Sequence, residues 1–277
     1  MVKYNCKGVH ITNDNEWYEY TKGSGVMPKI FLAAAYTLKS TLMYKASPHN
    51  LLDSFYCLKT MTSKVDEYIQ WAKGGDDFLL DSGAFTFMNK ARDNRNINLD
   101  EYVQKYIDFI NYHKIDKFFE MDLDCMMDYE EVKKLRSKIE EGTNKQCIPV
   151  WHKSRGKEEF INMCKEYDYV SIGGIASREI KKKEWEEILI PLCDIAHDNN
   201  CKIHGLGFTS LEWLNENKCP FDTVDGTAWI GSKTGHTFVI DNDEKMRKVK
   251  DDRNWRITTL SCFNTWNDFS RIKEKSK

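Results

Sequence analysis

Six short stretches of the sequence combine carboxylates, histidines and glycines, and each follows a run typical of a β-strand. Two carboxylates at one site can divide the chemistry of a glycosidic bond, one as nucleophile at the anomeric carbon and one as acid or base. Asp81 and Asp225 are candidates for such a pair. The stretches are Asp81-Ser82-Gly83, Asp122-Leu123-Asp124-Cys125, His152-Lys153, Gly173-Gly174-Ile175, His204-Gly205-Leu206-Gly207 and Asp222-Thr223-Val224-Asp225-Gly226.

The remaining groups in these stretches suit a planar ligand whose edge carries hydrogen-bond donors and acceptors. Asp122, Asp124 and His152 are candidates to bind that edge, and the glycines would let backbone groups approach it. Two other interpretations stay open. The histidines could be simple hydrogen-bonded residues, and the acidic set could hold a divalent metal, although nothing in the spacing selects one.

The stretch 77–85, DFLLDSGAF, indicates how such groups are positioned. Phe78 to Leu80 has the character of a parallel strand covered on both faces, and Gly83 permits backbone angles that a larger residue resists. Asp81 would then lie at the carboxyl end of a sheet. The alternative is a helix N-cap, because Asp and Ser both serve there.

Strand-like and helix-like runs alternate from residue 29 onward. At least seven such units predict an α/β fold, specifically a (β/α)8 TIM barrel rather than an open sheet. Residues 237–240 could form the eighth strand, but an inserted hairpin within 231–252 is an equal alternative. Strands are predicted at 29–35, 78–81, 117–122, 146–151, 169–172, 202–206 and 221–224, and helices at 51–71, 98–113, 129–141, 157–167, 182–198, 210–217 and 258–275.

The chain shows no linker rich in Pro, Gly or Ser, and its 277 residues with 41% hydrophobic content can bury one large core. A single domain spanning 1–277 is therefore predicted. It would have an irregular N-terminal cap at 1–27 and a C-terminal helix at 256–277.

The charge balance argues against a generally basic nucleic-acid binder, because 41 basic residues face 43 acidic ones, a net charge of -2. Local contacts with phosphate are still compatible with this balance. Lys181-Lys182-Lys183 and the tail from Arg271 to Lys277 are candidates, and such runs are also common on solvated helix faces.

Nine cysteines occur without a C-x-x-C pair, which predicts reduced thiols in a cytoplasmic protein. No apolar run reaches the roughly 18 residues of a membrane span. The polar N-terminus lacks the apolar core of a signal peptide. We therefore expect no membrane partner.

The order of the strand-end motifs resembles that of the queuine tRNA-ribosyltransferase (tRNA-guanine transglycosylase) family, which includes relatives that act on DNA. The similarity runs from about Phe78 to Trp229. The matching segments are Asp81-Ser82-Gly83-Ala84-Phe85-Thr86 for D-S-G-G-F-Q, Asp122-Leu123-Asp124-Cys125 for an acidic motif ending in cysteine, Gly173-Gly174-Ile175-Ala176 for G-G-[LI]-A, Gly205-Leu206-Gly207 for G-x-G and Asp222-Thr223-Val224-Asp225 for D-x-x-D.

The resemblance implies a pentosyltransferase that replaces guanine in a nucleic acid by a 7-deazaguanine such as 7-cyano-7-deazaguanine. It implies Asp225 as the nucleophile at C1′ and Asp81 as the general acid and base. The target nucleotide would have to be extruded from its stack. The residues implied in binding the base are Ser82, Asp122 or Asp124, His152, Gly173, Gly174, His204 and Gly205.

Three departures from the family pattern change these expectations. His152 replaces a glutamine, and Ala84 and Thr86 replace a glycine and a glutamine, so the pocket is expected to differ in shape. The structural zinc motif C-x-C-x-x-C is missing. The chain thus resembles the shorter, often phage-encoded members, and we expect DNA in preference to tRNA, no metal and no cofactor. A homodimer is also expected, because a near-neutral protein gains from a second subunit when it positions a long polyanion.

Two other function classes fit the same residues. Gly173-Gly174 and Gly205-Leu206-Gly207 could be phosphate loops of a barrel hydrolase or lyase that acts on a small phosphorylated sugar. A nucleic-acid-binding module without activity is the other class, and the presence of both Asp81 and Asp225 argues against it.

Overall fold

The computed structural model describes residues 9–11, 17–19, 28–38, 40–84, 86–87, 98–124, 126–230, 235–251, 253 and 255–275. Its main element is a seven-stranded parallel sheet with the order β5-β4-β3-β9-β8-β7-β6, and two separate antiparallel pairs are β1-β2 and β10-β11. The strands are β1 (Val9–Ile11), β2 (Trp17–Glu19), β3 (Lys29–Ala33), β4 (Asn50–Ser54), β5 (Asp77–Asp81), β6 (Val150–Trp151), β7 (Tyr169–Ile172), β8 (Lys202–Gly205), β9 (Thr223–Gly226), β10 (His236–Ile240) and β11 (Met246–Lys250).

The helices that connect these strands pack on the outer face of the sheet. Most are amphipathic, and the helix Leu99–His113 is capped by Asn98, whose side chain accepts a hydrogen bond from the Glu101 amide at 3.2 Å. The helices are α1 (Ser40–Met43), α2 (Phe55–Leu58), α3 (Val65–Lys73), α4 (Leu99–His113), α5 (Tyr129–Thr143), α6 (Gly156–Glu166), α7 (Trp185–Asp198), α8 (Leu211–Asn215) and α9 (Trp255–Lys275).

Alternate residues of the strands pack into two different cores, as the period of two in a strand requires. A large outer core lies between the sheet and the helices and includes Leu32, Leu51 and Leu80. A small inner core lies on the concave face. It consists of Phe31, Ala33, Leu52, Leu79, Phe119, Ile148 and Val150, with Tyr169 and Leu206 packed against it.

The prediction of a (β/α)8 TIM barrel is wrong, because the parallel sheet has seven strands and its edge strands β5 and β6 do not pair. The predicted strand at 117–122 forms isolated bridges only, from Phe118 to Leu80 and from Phe119 to Ile148. The amide of Val150 donates to the side-chain Oε1 of Glu120 at 2.7 Å. In a continued strand ladder this amide would donate to a backbone carbonyl instead. The fold is α/β with a curled seven-stranded sheet.

The structure decides between two alternatives left open by the sequence and corrects one further prediction. Residues 237–240 lie in the β10-β11 hairpin, in which Thr237 pairs with Val249, as in the inserted-hairpin alternative and not as an eighth strand of the parallel sheet. The predicted helix at 51–71 begins instead with strand β4, and helix occupies only its later part. Leu51 and Leu52 of β4 point to opposite faces of the sheet and are both buried, and a strand buried on both faces lacks the alternation that reveals a strand in a sequence.

Helix α9 is fastened to the amino ends of β3 and β4 by polar contacts. Oε1 of Glu274 accepts hydrogen bonds from Nδ2 of Asn50 at 2.7 Å and from Oγ of Ser270 at 3.2 Å, and lies 2.9 Å from Nε2 of His49. Burial opposes ionisation of this carboxyl group, but His49, Asn50 and Ser270 outweigh it, so the pKa of Glu274 is lowered.

We expect Glu274→Ala to lower the free energy of unfolding by about 1–3 kcal/mol at pH 7, because it leaves partly buried donors without an acceptor. Denaturant titration would measure the change, with the exposed Lys275→Ala as the matched control. Because the pKa of Glu274 is lowered, the stabilisation should be present near neutral pH and lost as the pH falls through that pKa. Equal effects of the two substitutions would contradict this role.

Candidate active site

The predicted site residues lie around the carboxyl ends of the parallel strands, which we call the carboxyl rim. Asp81 is the last residue of β5. His204 is the last residue but one of β8, and Asp225 is the last residue but one of β9. His152 and Gly173 directly follow β6 and β7. The carboxyl ends of parallel strands meet at one edge of a sheet, which is where α/β proteins bind ligands.

Asp225 is buried and is held through one oxygen only. Its Oδ1 accepts a hydrogen bond from the amide of Gly207 at 2.7 Å and lies 3.1 Å from Nε2 of His204. No hydrogen bond reaches its Oδ2 from the part of the chain that the structure describes. The carboxylate is therefore oriented by two nitrogens, with its second oxygen available to react.

A buried polar chain continues from Asp225 into the inner core. Nδ1 of His204 lies 2.7 Å from Oγ1 of Thr223, which in turn lies 2.5 Å from the hydroxyl of Tyr169. One proton arrangement satisfies every member: Tyr169 donates to Thr223, Thr223 donates to Nδ1 of His204, and Nε2–H of His204 donates to Asp225. Burial raises the pKa of Tyr169, which keeps its hydroxyl a donor. The chain fixes the ring of His204 and hence the direction of Asp225.

Asp81 has a different environment from Asp225. Burial raises the pKa of Asp81 from 3.8 to about 6, the negative charge of Asp225 adds to this rise, and a hydrogen bond from the amide of Gly83 to Oδ2 at 3.0 Å opposes it. Gly83 has a φ of 78°, and a Cβ there would lie 2.7 Å from Oγ of Ser54. The tight glycine turn thus allows the Asp81 carboxyl group to be enclosed and still receive one donor.

Ser82 is buried between Asp81 and the turn. Its carbonyl oxygen accepts a hydrogen bond from the hydroxyl of Tyr102 at 2.6 Å, and its Oγ has no partner among the described residues. Its hydroxyl is therefore a buried polar group whose hydrogen-bonding capacity is unused within the described residues.

His152 is held between two carboxylates at the carboxyl rim. Its Nε2 lies 2.8 Å from Oδ1 of Asp122, and its Nδ1 lies 2.8 Å from Oε2 of Glu179. Burial lowers the pKa of His152, but the two carboxylates more than offset burial and raise the pKa from 6.5 to about 9. The ring is therefore a fixed imidazolium near neutral pH.

Gly173 has a steric role beside this ring. A Cβ at Gly173 would lie 2.8 Å from Cε1 and Nε2 of His152, so a larger residue would displace the ring. Gly174 lies in the same turn beside Glu179, whereas Gly205 packs against Phe221 of the outer core.

Asp124 is engaged away from the other acidic groups. Its carboxylate forms a bidentate ion pair with Arg155, at 2.7 Å from Nε and 2.5 Å from Nη2. The guanidinium of Arg155 also lies 3.2 Å from Oε1 of Glu120 and 4.1 Å from the ring centre of Tyr129. Of the two acidic candidates for base binding, the geometry favours Asp122.

Four participants were missed by sequence reasoning: Tyr169, Thr223, Glu179 and Arg155. The strand period could have found Thr223, because it lies two residues before Asp225 and so points to the same face. Glu179 lies in a loop and Arg155 in the short 3-10 turn Lys153–Arg155, and neither position carries such a signal. Phe85 and Cys125, which belong to the predicted motifs, lie outside the described residues.

The described residues contain no group of three or more His, Cys, Asp or Glu side chains that could hold a metal ion. Among the same residues, no helix has the length and apolar character needed to cross a membrane. No protein-family model matches the chain, and the search of curated proteins found no match.

Because the pKa of Asp81 is raised on folding, the folded state must bury a charge once the pH exceeds about 6. The free energy of unfolding should therefore fall as the pH rises from about 4 to about 6 and stay low above that. We expect Asp81→Asn to stabilise the protein by about 1–3 kcal/mol at pH 8 and to have little effect at pH 4. Thermal and denaturant unfolding at both pH values would test this, with Asp243→Asn in the β10-β11 turn as control. The same difference at pH 4 and pH 8 would refute the burial argument.

NMR titration of the histidine rings should give a pKa of about 9 for His152. Glu179→Gln should lower that pKa toward 6.5, because one carboxylate is lost and burial then favours the neutral ring. His152→Gln would assign the signal among the seven histidines. His197, which lies 3.1 Å from Asp222 on the opposite side of β8, is an internal control whose titration should not change. A wild-type pKa near 6.5 would show that the ring is not held between two carboxylates.

Proposed function

We propose that the protein is a guanine transglycosylase, which exchanges guanine in nucleic acid for a 7-deazaguanine such as 7-cyano-7-deazaguanine. The observation that carries the proposal is the unequal pair at the carboxyl rim. Asp225 is oriented through one oxygen and keeps the other free, while the pKa of Asp81 is raised to about 6. An oriented carboxylate with a free oxygen suits the role of nucleophile, and a carboxyl group whose pKa is raised suits the role of acid.

In the first step, Oδ2 of Asp225 would form a bond to C1′ of the target nucleotide while the bond from C1′ to N9 of guanine breaks. The bonding electrons leave with guanine, which takes a proton from Asp81. A carboxyl group with a pKa of about 6 still holds that proton in part of the molecules near neutral pH. The product is a covalent ester between Asp225 and the nucleotide.

In the second step, Asp81 is ionised and acts as the base. It would remove the N9 proton of the incoming 7-deazaguanine, whose N9 then bonds to C1′ as the ester bond to Asp225 breaks. Asp81 is protonated and Asp225 is a free carboxylate once more, so the site returns to its starting state. Neither step requires a cofactor.

The edge of guanine that carries N1–H and the 2-amino group needs acceptors. Asp122 and Glu179 each use one oxygen on His152, and their second oxygens, Oδ2 and Oε1, receive no hydrogen bond from the described residues. Both carboxylates therefore have acceptor capacity for such an edge. The positive charge of the His152 imidazolium offsets the repulsion between the carboxylates of Asp122 and Glu179.

DNA is the proposed polymer in preference to tRNA, because the sequence lacks the zinc motif that the tRNA-acting members of the resembled family carry. The proposed location is the cytoplasm. The seven cysteines within the described residues are all free thiols, which suits a reducing compartment. A homodimer is proposed on the charge argument alone.

The test is to incubate the protein with guanine-containing DNA or tRNA and labelled 7-cyano-7-deazaguanine, and to measure incorporation and a denaturation-resistant adduct. Asp225→Asn should abolish both, by about 10³-fold or more, because it removes the nucleophile and keeps the side-chain shape. Asp243→Asn should behave as wild type. Asp81→Asn should slow adduct formation while Asp225 remains in place.

Incorporation into DNA that requires Asp225 would support the proposal and its choice of polymer, whereas incorporation into tRNA alone would overturn that choice. If folded wild-type protein modifies neither polymer and forms no adduct, the transglycosylase proposal fails. Turnover of a small phosphorylated sugar that requires Asp81 and Asp225 would then support the hydrolase or lyase alternative.

A further inference from the structure

The loop between β7 and α7 connects the candidate active site with an exposed group of cations. It begins at Gly173 and contains Glu179, whose carboxylate holds His152. Arg178, Lys181 and Lys183 of this loop are exposed, and we call these three residues the basic loop. None of them forms an ion pair within the part of the chain that the structure describes, in contrast to Lys182, which lies 2.7 Å from Glu212.

The carboxylates beside the basic loop are already engaged. Glu179 lies 2.8 Å from the imidazolium of His152. Glu184 accepts hydrogen bonds from Nζ of Lys153 at 3.1 Å and from the backbone amide of Lys181 at 3.0 Å. The loop therefore presents an excess of positive charge to solvent, although the whole chain has a net charge of -2.

The backbone at Arg178 sets the local shape of this loop. Its φ is 64°, a left-handed conformation. The amide of Arg178 donates to the carbonyl of Ile175 at 3.2 Å, which closes a tight turn just before Glu179. The turn fixes a cation and a site carboxylate at adjacent positions.

We propose that the basic loop binds phosphates of a polynucleotide on either side of the nucleotide that enters the site. The three side chains are exposed along a connecting segment that ends in the 3-10 turn Lys182–Glu184, whereas a single small phosphate is usually held by groups that converge in a pocket or at a helix N-terminus. Exposed cations in series suit a chain of phosphates, which they bind with release of counterions. The polynucleotide and its place in the site rest on the proposed function, and the charge of the loop does not.

The experiment measures the affinity for fluorescent single-stranded DNA and RNA of one guanine-containing sequence as a function of KCl concentration. The test variant is Arg178→Gln/Lys181→Gln/Lys183→Gln. The matched control is Lys114→Gln/Lys165→Gln/Lys202→Gln, which removes the same charge at exposed positions near the opposite, amino end of the sheet. Loss of the three charges of the basic loop should reduce the magnitude of the slope of log K against log salt concentration by about 2, and the control should keep the wild-type slope.

Adduct formation provides the second readout. In the variant without the three charges of the basic loop, KM for the polymer should rise about tenfold or more at 0.15 M salt, while the rate at saturating polymer stays as in wild type. DNA and RNA are separate arms, and the one whose salt slope depends on the basic loop identifies the polymer. Inorganic phosphate is included as a competitor, because strong competition by it would identify a single-phosphate site and overturn the proposal.

Equal salt slopes and equal KM values for the two triple variants would also overturn the proposal. That result together with an Asp225-dependent adduct would leave the transglycosylase function intact. The opposite result is also informative. If salt-dependent binding requires the basic loop but the wild-type protein forms no adduct, the binding surface is supported and the proposed reaction fails.

Discussion

The buried carboxylate of Glu120 is the constraint on which the shape of the sheet depends. It accepts the amide of Val150 at 2.7 Å and pairs with Arg136 at 2.7 Å and Arg155 at 3.2 Å. The bridges of Phe118 and Phe119 lie immediately before it and connect Leu80 of β5 with Ile148, which lies two residues before β6. Two arginines and two carboxylates, counting Asp124, balance in charge, and removal of one member would leave an uncompensated buried charge, which is strongly destabilising.

The same network lies beside the bridges at the edges of the sheet and orders part of its carboxyl rim. Arg155 reaches from Glu120 to Asp124, and so fixes the loop that follows Asp122. Because the sheet is curled, Asp81 on one edge strand lies near enough to Asp225 and Asp122 for both charges to raise its pKa. A flat sheet would hold the edge strands β5 and β6 far apart, and the residues at their carboxyl ends could not share one site.

The sequence predicted the convergence of the site residues better than it predicted the sheet. Asp81, His152, Gly173, His204 and Asp225 were found because each ends an apolar run, and parallel strands bring such ends together. The predicted strand at 117–122 was wrong because KFFEMD has the apolar character of a strand, while its ladder is interrupted by a side-chain acceptor. The possible eighth strand at 237–240 pairs with β11 instead. Strand β4 was missed because a strand buried on both faces has no alternation. Glu179 depends on a loop conformation that no spacing encodes.

Inside and outside the carboxyl rim, the charges are arranged in opposite ways. Asp81, Asp122 and Asp225 place acceptors inside the rim, and His152 is a fixed cation between Asp122 and the more exposed Glu179. The basic loop places its cations outside, next to Glu179. A phosphate would be repelled from the interior and attracted to the exterior, whereas a neutral base and its sugar meet no such repulsion. For the reaction proposed here, this sorting would draw a single extruded nucleoside inward while its phosphates stay at the surface, which lets an acidic protein act on a polyanion.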